Sequence, residues 1–293
     1  MLEALAGRHD LAGVVTQPDR PAGRGQRLVA TPVKRAAEAR GIPVHTPERL
    51  KPFAADVPAL GVDAFVVASY GKIVPQVLLD AVPIAFNVHP SLLPLYRGAT
   101  PLQSAIRDGR SQTGVTIIAM DAGMDTGDVL LQEAAAIGPD ETYGQLHDRL
   151  ARRGAELAVE ALERYAAGTL PRKTQAQRAR ELGVADEEIA ATLTRPLRKE
   201  DLVLDNAEPA QRIVDRVRSL APAPAGRTDV FGETIKVLRA HVAPDGEGVS
   251  SAAPMAYLHA GDGRAVALDQ VVPPGRGPMA GEAYARSWLQ RHR

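Results

Sequence analysis

Cysteine is absent from the 293-residue chain. That excludes disulfides, thiolate nucleophiles and cysteine-held zinc or iron–sulfur centres, and it suits the reducing cytoplasm. Aromatic residues are scarce, at 4%. Neither charge sign is in excess: Lys+Arg and Asp+Glu both number 35, so net charge neither argues for nor excludes a polyanionic partner. No apolar run approaches the roughly 20 residues that span a bilayer. The opening M-L-E-A-L-A-G also lacks the basic-then-apolar layout of a signal peptide. These absences point to a cytoplasmic protein without a membrane partner. Hydrophobic residues make up 45% of the chain, enough for a core, and the length fits two ordinary domains or one large one.

What the chain does contain is an alternation of short apolar runs and helical segments. Residues 1–5 read as the tail of a helix stopped by Gly7, and 11–16 as a buried strand, so the chain opens inside a helix with no strand before it. Residues 17–28 hold two Pro and two Gly and read as a loop. Helices are expected at 32–40, 75–80, 101–107 and 141–167, the last capped by Thr142; strands are expected at 42–45, 64–69, 84–88, 115–120 and 129–132. This alternation implies an α/β fold with a mostly parallel sheet. From Gly168 the character changes. Residues 171–200 are polar and read as a linker or an excursion over the first domain, and 209–220 as an amphipathic helix. Past A-P-A-P-A-G at 221–226, short runs at 234–238, 255–258 and 265–272 suggest a small β-barrel or sandwich.

The chemistry is densest between residues 86 and 128. Two apolar runs, 84–88 and 115–120, each empty into a polar cluster, with Asn87, His89 and Ser91 after the first and Asp121, Asp125 and Asp128 after the second. Ligands of α/β sheets sit where strand ends open into loops. Asn87 and His89 alternate along a strand and so face the same side. An amide and an imidazole aimed at one point can hold a carbonyl oxygen and stabilise the oxyanion formed on attack. The imidazole can also move a proton near neutrality. With no cysteine and no G-x-S-x-G elbow there is no convincing nucleophile, so direct attack of one bound substrate on another fits better than a covalent acyl-enzyme. One His among scattered Asp is a poor metal site. Plainer readings stand beside these: His89 as a structural histidine, and D-A-G-M-D-T-G-D as a tight turn or a weak calcium loop without EF-hand spacing. The run from Arg20 to Arg35, five basic residues and no acidic one, reads on composition as a solvated loop.

N-V-H-P-S-L-L-P-L-Y-R-G-A-T-P (87–101) together with G-V-T-I-I-A-M-D-A-G-M-D-T-G-D (114–128) resembles the folate-dependent formyltransferases, a Rossmann-like family that takes its one-carbon unit from 10-formyltetrahydrofolate. The likeness is sharp from residue 11 to about 131 and loose thereafter. It implies a catalytic trio of Asn87, His89 and Asp125. It also implies a folate site closed by Ser91, Leu92, Leu93 and Pro94, with the pterin in an apolar slot by Tyr70, Gly71 and Asp121, and no metal. T-Q-P-D-R-P-A-G-R-G (16–25) resembles the loop that tRNA-acting members insert to meet the acceptor end of initiator tRNA. Arg24 matches its key basic residue, with Arg20 and Arg27 on either side. That turns the charge run into an RNA-contacting loop. The implied acceptor is the α-amino group of methionine on initiator methionyl-tRNA. The implied architecture is a catalytic domain over 1–172, a linker over 173–204 and an OB-like C-terminal barrel over 205–293 that helps to hold the tRNA, the whole acting as a monomer.

There are departures. Family members normally open with a β-strand and a G-T/S-P-x-F-A segment, and this sequence shows neither. That suggests a misassigned start codon or a truncated sequence, and two strands are expected to lack a ladder partner. A-P-A-P-A-G stands where relatives carry an aromatic N-P-W-P-like turn. Residues 205–293 hold 11 basic and 10 acidic side chains, not a conspicuously basic surface. Two rival expectations follow: formyl transfer to a small amine (a sugar nucleotide or glycinamide ribonucleotide), and a non-catalytic RNA-binding protein on the same scaffold.

Overall fold

The computed structural model describes residues 1–22, 27–244 and 255–291. In chain order the elements are α1 (Leu2–Ala6), β1 (Val14–Val15), β2 (Arg20–Ala22), β3 (Arg27–Val29), α2 (Pro32–Glu38), β4 (Val44–His45), α3 (Leu50–Phe53), β5 (Phe65–Val67), α4 (Gln76–Leu79), β6 (Ala85–His89), α5 (Pro101–Arg107), β7 (Gln112–Ala119), β8 (Val129–Ala136), α6 (Tyr143–Ala166), α7 (Gln175–Leu182), α8 (Asp186–Ala191), α9 (Ala210–Leu220), β9 (Gly226–Val230), β10 (Glu233–Val242), β11 (Tyr257–His259), β12 (Ala265–Val272), β13 (Met279–Ala280) and α10 (Gly281–Arg291). They gather into two compact units, one of residues 1–97, 114–134 and 150–193, the other of residues 98–113, 135–149 and 194–293.

The first unit is α/β. Its main sheet runs in the order β5-β6-β7-β8, with β5–β6 parallel and β6–β7 antiparallel. The antiparallel register sets His89 opposite Thr116, which brings the polar end of β6 beside the middle of β7. β1 and β4 pair in parallel as a separate two-stranded sheet. Among the described residues β1 has a ladder with β4 alone, and β5 with β6 alone.

Alternation along β6 decides which way the polar residues face. Phe86 meets Tyr165 of α6 edge-on, with ring centroids 6.0 Å apart. Gly154 of α6 sits so close to Val88 that an added Cβ would lie 2.9 Å from its Cγ1. Phe86 and Val88 thus bury one face of the strand under α6, and Asn87 and His89 project from the other. α6 begins where the sequence suggests. The Thr142 hydroxyl accepts from Gln145 N at 3.4 Å, and Gln145 Oε1 accepts from Thr142 N at 3.0 Å, a reciprocal capping box.

Two stretches of this unit differ from their sequence readings. The Pro- and Gly-rich segment read as a loop is in part an antiparallel ribbon, in which Arg20 pairs with Val29 and Ala22 with Arg27. A two-stranded ribbon tolerates Pro21 because each strand has a free edge where the missing N–H costs nothing. The stretch read as a linker or an excursion over the first domain carries two helices not anticipated there, α7 and α8, and residues 173–193 fall within the first unit. Their helices were hidden by low apolar content: among α7 side chains only Gln175 and Ala179 are buried.

The second unit contains an antiparallel sheet in the order β11-β12-β10-β9, with β13 added on β12. Register shifts at Val237/Arg239 and Arg239/Ala240 break β10 with bulges, and bulges increase twist and let a sheet curl. α9 lays Ile213, Val214, Val217 and Leu220 inward, each at most 6% exposed. Burying each such side chain is worth about 1.5–3 kcal/mol. The C-terminal helix α10 was not anticipated among strand-like runs. Tyr284 anchors it, 1% exposed, with its hydroxyl donating to the Val230 carbonyl at 3.2 Å.

Candidate active site

Asn87 and His89 leave β6 on one face, and the turn after β7 returns Asp125 to them. Asn87 Nδ2 donates to Asp125 Oδ1 at 3.1 Å, and His89 Nδ1 lies 3.5 Å from Asp125 Oδ2. One carboxylate therefore meets both groups. The other ring nitrogen, His89 Nε2, is 2.9 Å from the Tyr96 carbonyl oxygen. A carbonyl only accepts, so Nε2 must carry a proton. In the neutral ring Nδ1 then presents a lone pair to the carboxylate, and the space between them is a slot for one proton. Burial pushes the His89 imidazole below its ordinary value, while the Asp125 charge and the Tyr96 carbonyl pull it back up. Burial prevails, so the resting slot is empty and able to receive a proton. The second N–H of the Asn87 amide remains available to donate to a developing oxyanion.

The S-L-L-P segment, expected to close over folate, follows directly on His89. Ser91 and Leu93 are turned inward, both at 0% exposure. The Ser91 hydroxyl donates to the Leu95 carbonyl at 2.7 Å, and Leu93 packs with Ile118 and Val129. Leu92 lies against Gly114, where a Cβ would come within 2.5 Å of Leu92 Cδ2. Pro94 is buried after a cis Leu93–Pro94 bond. The side chains of Ser91 and Leu93 thus build the loop's shape, and its backbone is what a ligand would meet.

Thr116 on β7, which sequence reading missed, holds this loop. Its hydroxyl donates to the Ser91 carbonyl at 2.6 Å and accepts from Gln132 Nε2 at 2.8 Å and Leu93 N at 3.3 Å. Thr116→Val keeps the shape and removes all three bonds at a site of 0% exposure. Unpaired buried partners cost about 1–3 kcal/mol. The expected outcome is a lower unfolding midpoint in urea together with weaker folate binding by calorimetry. Parent-like values for both would mean that the hydroxyl does not hold the loop.

The remaining expected residues separate into two groups. Asp121 is exposed and organises its own turn, its Oδ1 accepting from Thr126 Oγ1 at 2.7 Å and Gly123 N at 3.0 Å. Tyr70 packs against the same apolar cluster as Met120, the residue before Asp121, and burial raises its hydroxyl above the ordinary value. Tyr70 and Gly71 also line a cavity of about 300 Å³ with Gln17, Arg20, Thr31 and Lys72, so they face the ribbon as well as the loop. Arg20 and Arg27 project exposed from paired positions near opposite ends of that ribbon, whereas Arg24 lies outside the described residues. Among the described residues no group of three His, Asp or Glu is placed to hold a metal ion, and no helix is long and apolar enough to cross a membrane.

Comparison with known proteins matches residues 2–162 to the formyl transferase family model and 196–288 to the formyl transferase C-terminal domain model. A methionyl-tRNA formyltransferase of Anaeromyxobacter dehalogenans is 48% identical over 240 residues, 81% of this chain and 73% of that protein. One from Heliobacterium modesticaldum is 42% identical over 306 residues, 97% of this chain and 92% of that protein. Among solved structures, an N-formyltransferase from Helicobacter canadensis, in complex with folinic acid and dTDP-3-aminofucose, superposes with a TM-score of 0.65 at 17% identity, covering 91% of this chain and 93% of its own. HypX from Aquifex aeolicus, in complex with tetrahydrofolic acid, gives 0.62 at 16%, covering 87% and 44%. At those identities the two structures establish the shared fold alone.

Proposed function

The chain belongs to the formyl transferase family, and from that premise we propose that it moves the formyl group of 10-formyltetrahydrofolate to the α-amino group of methionine on initiator tRNA. The observation that carries the chemistry is the convergence of Asn87 and His89 on the single carboxylate of Asp125. The choice of acceptor rests on relatives at 40–48% identity named for that reaction.

The free amine attacks the formyl carbon. A C–N bond forms, the carbonyl electrons move to oxygen, Asn87 Nδ2 donates to that oxyanion, and the positive charge of the His89 imidazole, once protonated, stabilises it through space. The attacking nitrogen must shed one proton, and N10 of the folate must gain one as its bond to carbon breaks. The empty slot between His89 Nδ1 and Asp125 Oδ2 takes the first proton and returns it to N10, so the two protons balance and no covalent enzyme intermediate is needed. The backbone of residues 91–94 would border the folate, and the apolar cluster that holds Tyr70 and Met120 would border the pterin.

The ribbon bearing Arg20 and Arg27, with Arg24 in the same loop, would meet phosphates of the acceptor arm, and the barrel of residues 205–293 would hold more of the tRNA. Charged tRNA and reduced folate are met in the cytoplasm, where we place the enzyme, acting as a monomer.

The decisive assay incubates purified protein and 10-formyltetrahydrofolate with methionyl-initiator tRNA, and in parallel with an amino-sugar nucleotide or glycinamide ribonucleotide. Formylation of the tRNA alone supports this reading. Formylation of the small amines alone overturns it, and no product from any acceptor leaves an RNA-binding scaffold. Replacing both Arg20 and Arg27 by Ala should raise KM for charged tRNA and leave KM for folate unchanged. It should also lower the salt slope of tRNA binding by about 1 for each phosphate that is no longer neutralised. Equal effects on both KM values would count against an RNA-contacting ribbon.

A further inference from the structure

The chain around residue 173, which reads in the sequence as the start of a linker, is stitched onto the loop that carries Asp125. Lys173 and Val129 exchange both backbone hydrogen bonds, at 2.9 and 2.8 Å, and Arg172 Nε reaches Asp128 Oδ2 at 2.7 Å. The Thr174 capping box then opens α7 and sets Gln175 at its first position. Gln175 is 5% exposed. Its Nε2 donates to the carbonyl oxygens of Asp125 at 2.6 Å and Gly127 at 2.9 Å, and its Oε1 accepts from Arg97 Nε at 2.8 Å and Nη2 at 2.5 Å. Every polar atom of the amide is thus engaged. Arg97 also fixes which end of the amide is which, because a guanidinium only donates.

Asp125 needs such a hold. Its φ is +55°, in the left-handed region that Asp visits more readily than most side chains but that still lies above the extended and right-handed wells, so a fixed geometry there needs support from its surroundings. From that backbone the carboxylate reaches both Asn87 and His89, and relaxation of φ would swing both oxygens away. Gly127, the second carbonyl under the Gln175 amide, lies close against β7: a Cβ there would come 1.7 Å from the Ala119 carbonyl oxygen. Burial pulls the Arg97 guanidinium below its ordinary value, and the charges of Asp121 and Asp125 draw it back up, so the group that orients Gln175 also faces the catalytic loop.

We propose that Gln175, oriented by Arg97, is the positioning residue for Asp125. It holds the residue in the left-handed conformation from which one carboxylate serves both Asn87 and His89. The inference rests on the function proposed above for that trio. Its signature is a loss in turnover without a loss in binding, because Gln175 acts through Asp125 and not on either substrate.

Two variants test it. Gln175→Met keeps the buried volume and removes every hydrogen bond of the amide. Gln175→Glu keeps an acceptor for Arg97 but has no N–H for the carbonyls of Asp125 and Gly127. Both should lower kcat by on the order of 10²-fold, the scale expected for a displacement of about 1 Å at the reacting groups, with KM for tRNA and folate unchanged. In Gln175→Met the His89 ring titration, followed by NMR, should move to lower pH as the carboxylate leaves Nδ1. A side chain needed only for folding would lower the unfolding midpoint and leave kcat per folded molecule and the titration in place. Folded variants with parental kcat and an unmoved His89 titration overturn the proposal. If the parent protein formylates no tRNA, the functional reading fails, and the titration still decides whether Gln175 positions Asp125.

Discussion

Asp125→Asn should reduce formylation turnover by on the order of 10²- to 10⁴-fold, the range for removal of a group that moves a proton in the transition state. The substitution is close to isosteric, so the loop has little reason to move. It fails for a chemical reason. The new amide would turn an N–H toward His89 Nδ1, 3.5 Å away, and occupy the one place where the amine's proton has to land. It would also remove the charge that helps the imidazole to stay protonated during transfer. The pH profile carries the sign. In the parent, activity needs the His89–Asp125 slot empty, and burial already holds His89 below its ordinary value, so kcat should be flat at neutral pH and fall only in acid, below the usual histidine range near 6.5. Removing the Asp125 charge takes away a contribution that raises the His89 value. The acid limb of the variant should therefore lie at still lower pH, beneath a much reduced plateau. Single-turnover rates across pH 4.5–8.5 measure both effects. A parent-like plateau, or an acid limb displaced toward higher pH, would falsify the slot as the route of the proton.

The core of this site was legible because it depends on two local rules. Period-two alternation along residues 84–88 puts Asn87 and His89 on one face whatever the rest of the chain does, and an apolar run ending in Asp-rich sequence marks a strand end. What could not be read is how the parts are held. An Asp is compatible with the φ of +55° at Asp125 but does not by itself announce it, and the side chain that bonds its carbonyl lies 50 positions away. Gln175 lies in a segment with almost no apolar periodicity, and a buried amide in a polar stretch looks like any other exposed glutamine. Thr116 sits inside an apolar run in which its methyl group hides the hydroxyl's three partners. The pairing of Arg20–Ala22 with Arg27–Val29 was hidden by the prolines and glycines of the segment, which read as a loop and carry no pairing signal. The N–H of Ala225 bonds the Leu220 carbonyl at 2.9 Å across the A-P-A-P turn, so a helix-closing contact survives there without the aromatic residue expected from the family.

The second unit hangs on a buried charge that sequence reading passed over, and its removal has the largest effect expected on stability. Arg218 and Asp215, one turn apart on α9, are 9% and 5% exposed. Arg218 Nη2 donates to Asp215 Oδ1 at 2.6 Å, and Nη1 donates to the carbonyls of Gly138 and Glu141, both at 3.1 Å. One guanidinium thus closes the ion pair along the helix and ties α9 to the 138–141 turn. In Arg218→Met the stem's volume is kept, but a buried carboxylate is left with Gln211 Nε2, at 3.1 Å, as its remaining partner, and two carbonyls lose their donor. Stranding one member of a buried ion pair costs about 3–5 kcal/mol, against about 0.5 kcal/mol for an ordinary surface change. Urea unfolding followed by Trp288 fluorescence should show this as a lower midpoint. The double variant Arg218→Met/Asp215→Leu should recover a large part of the loss, because the stranded charge and not the missing attraction is what destabilises. A double variant no more stable than Arg218→Met would shift the explanation to the two carbonyls of the 138–141 turn. A single variant within about 0.5 kcal/mol of the parent would show that the pair contributes no more than a surface interaction.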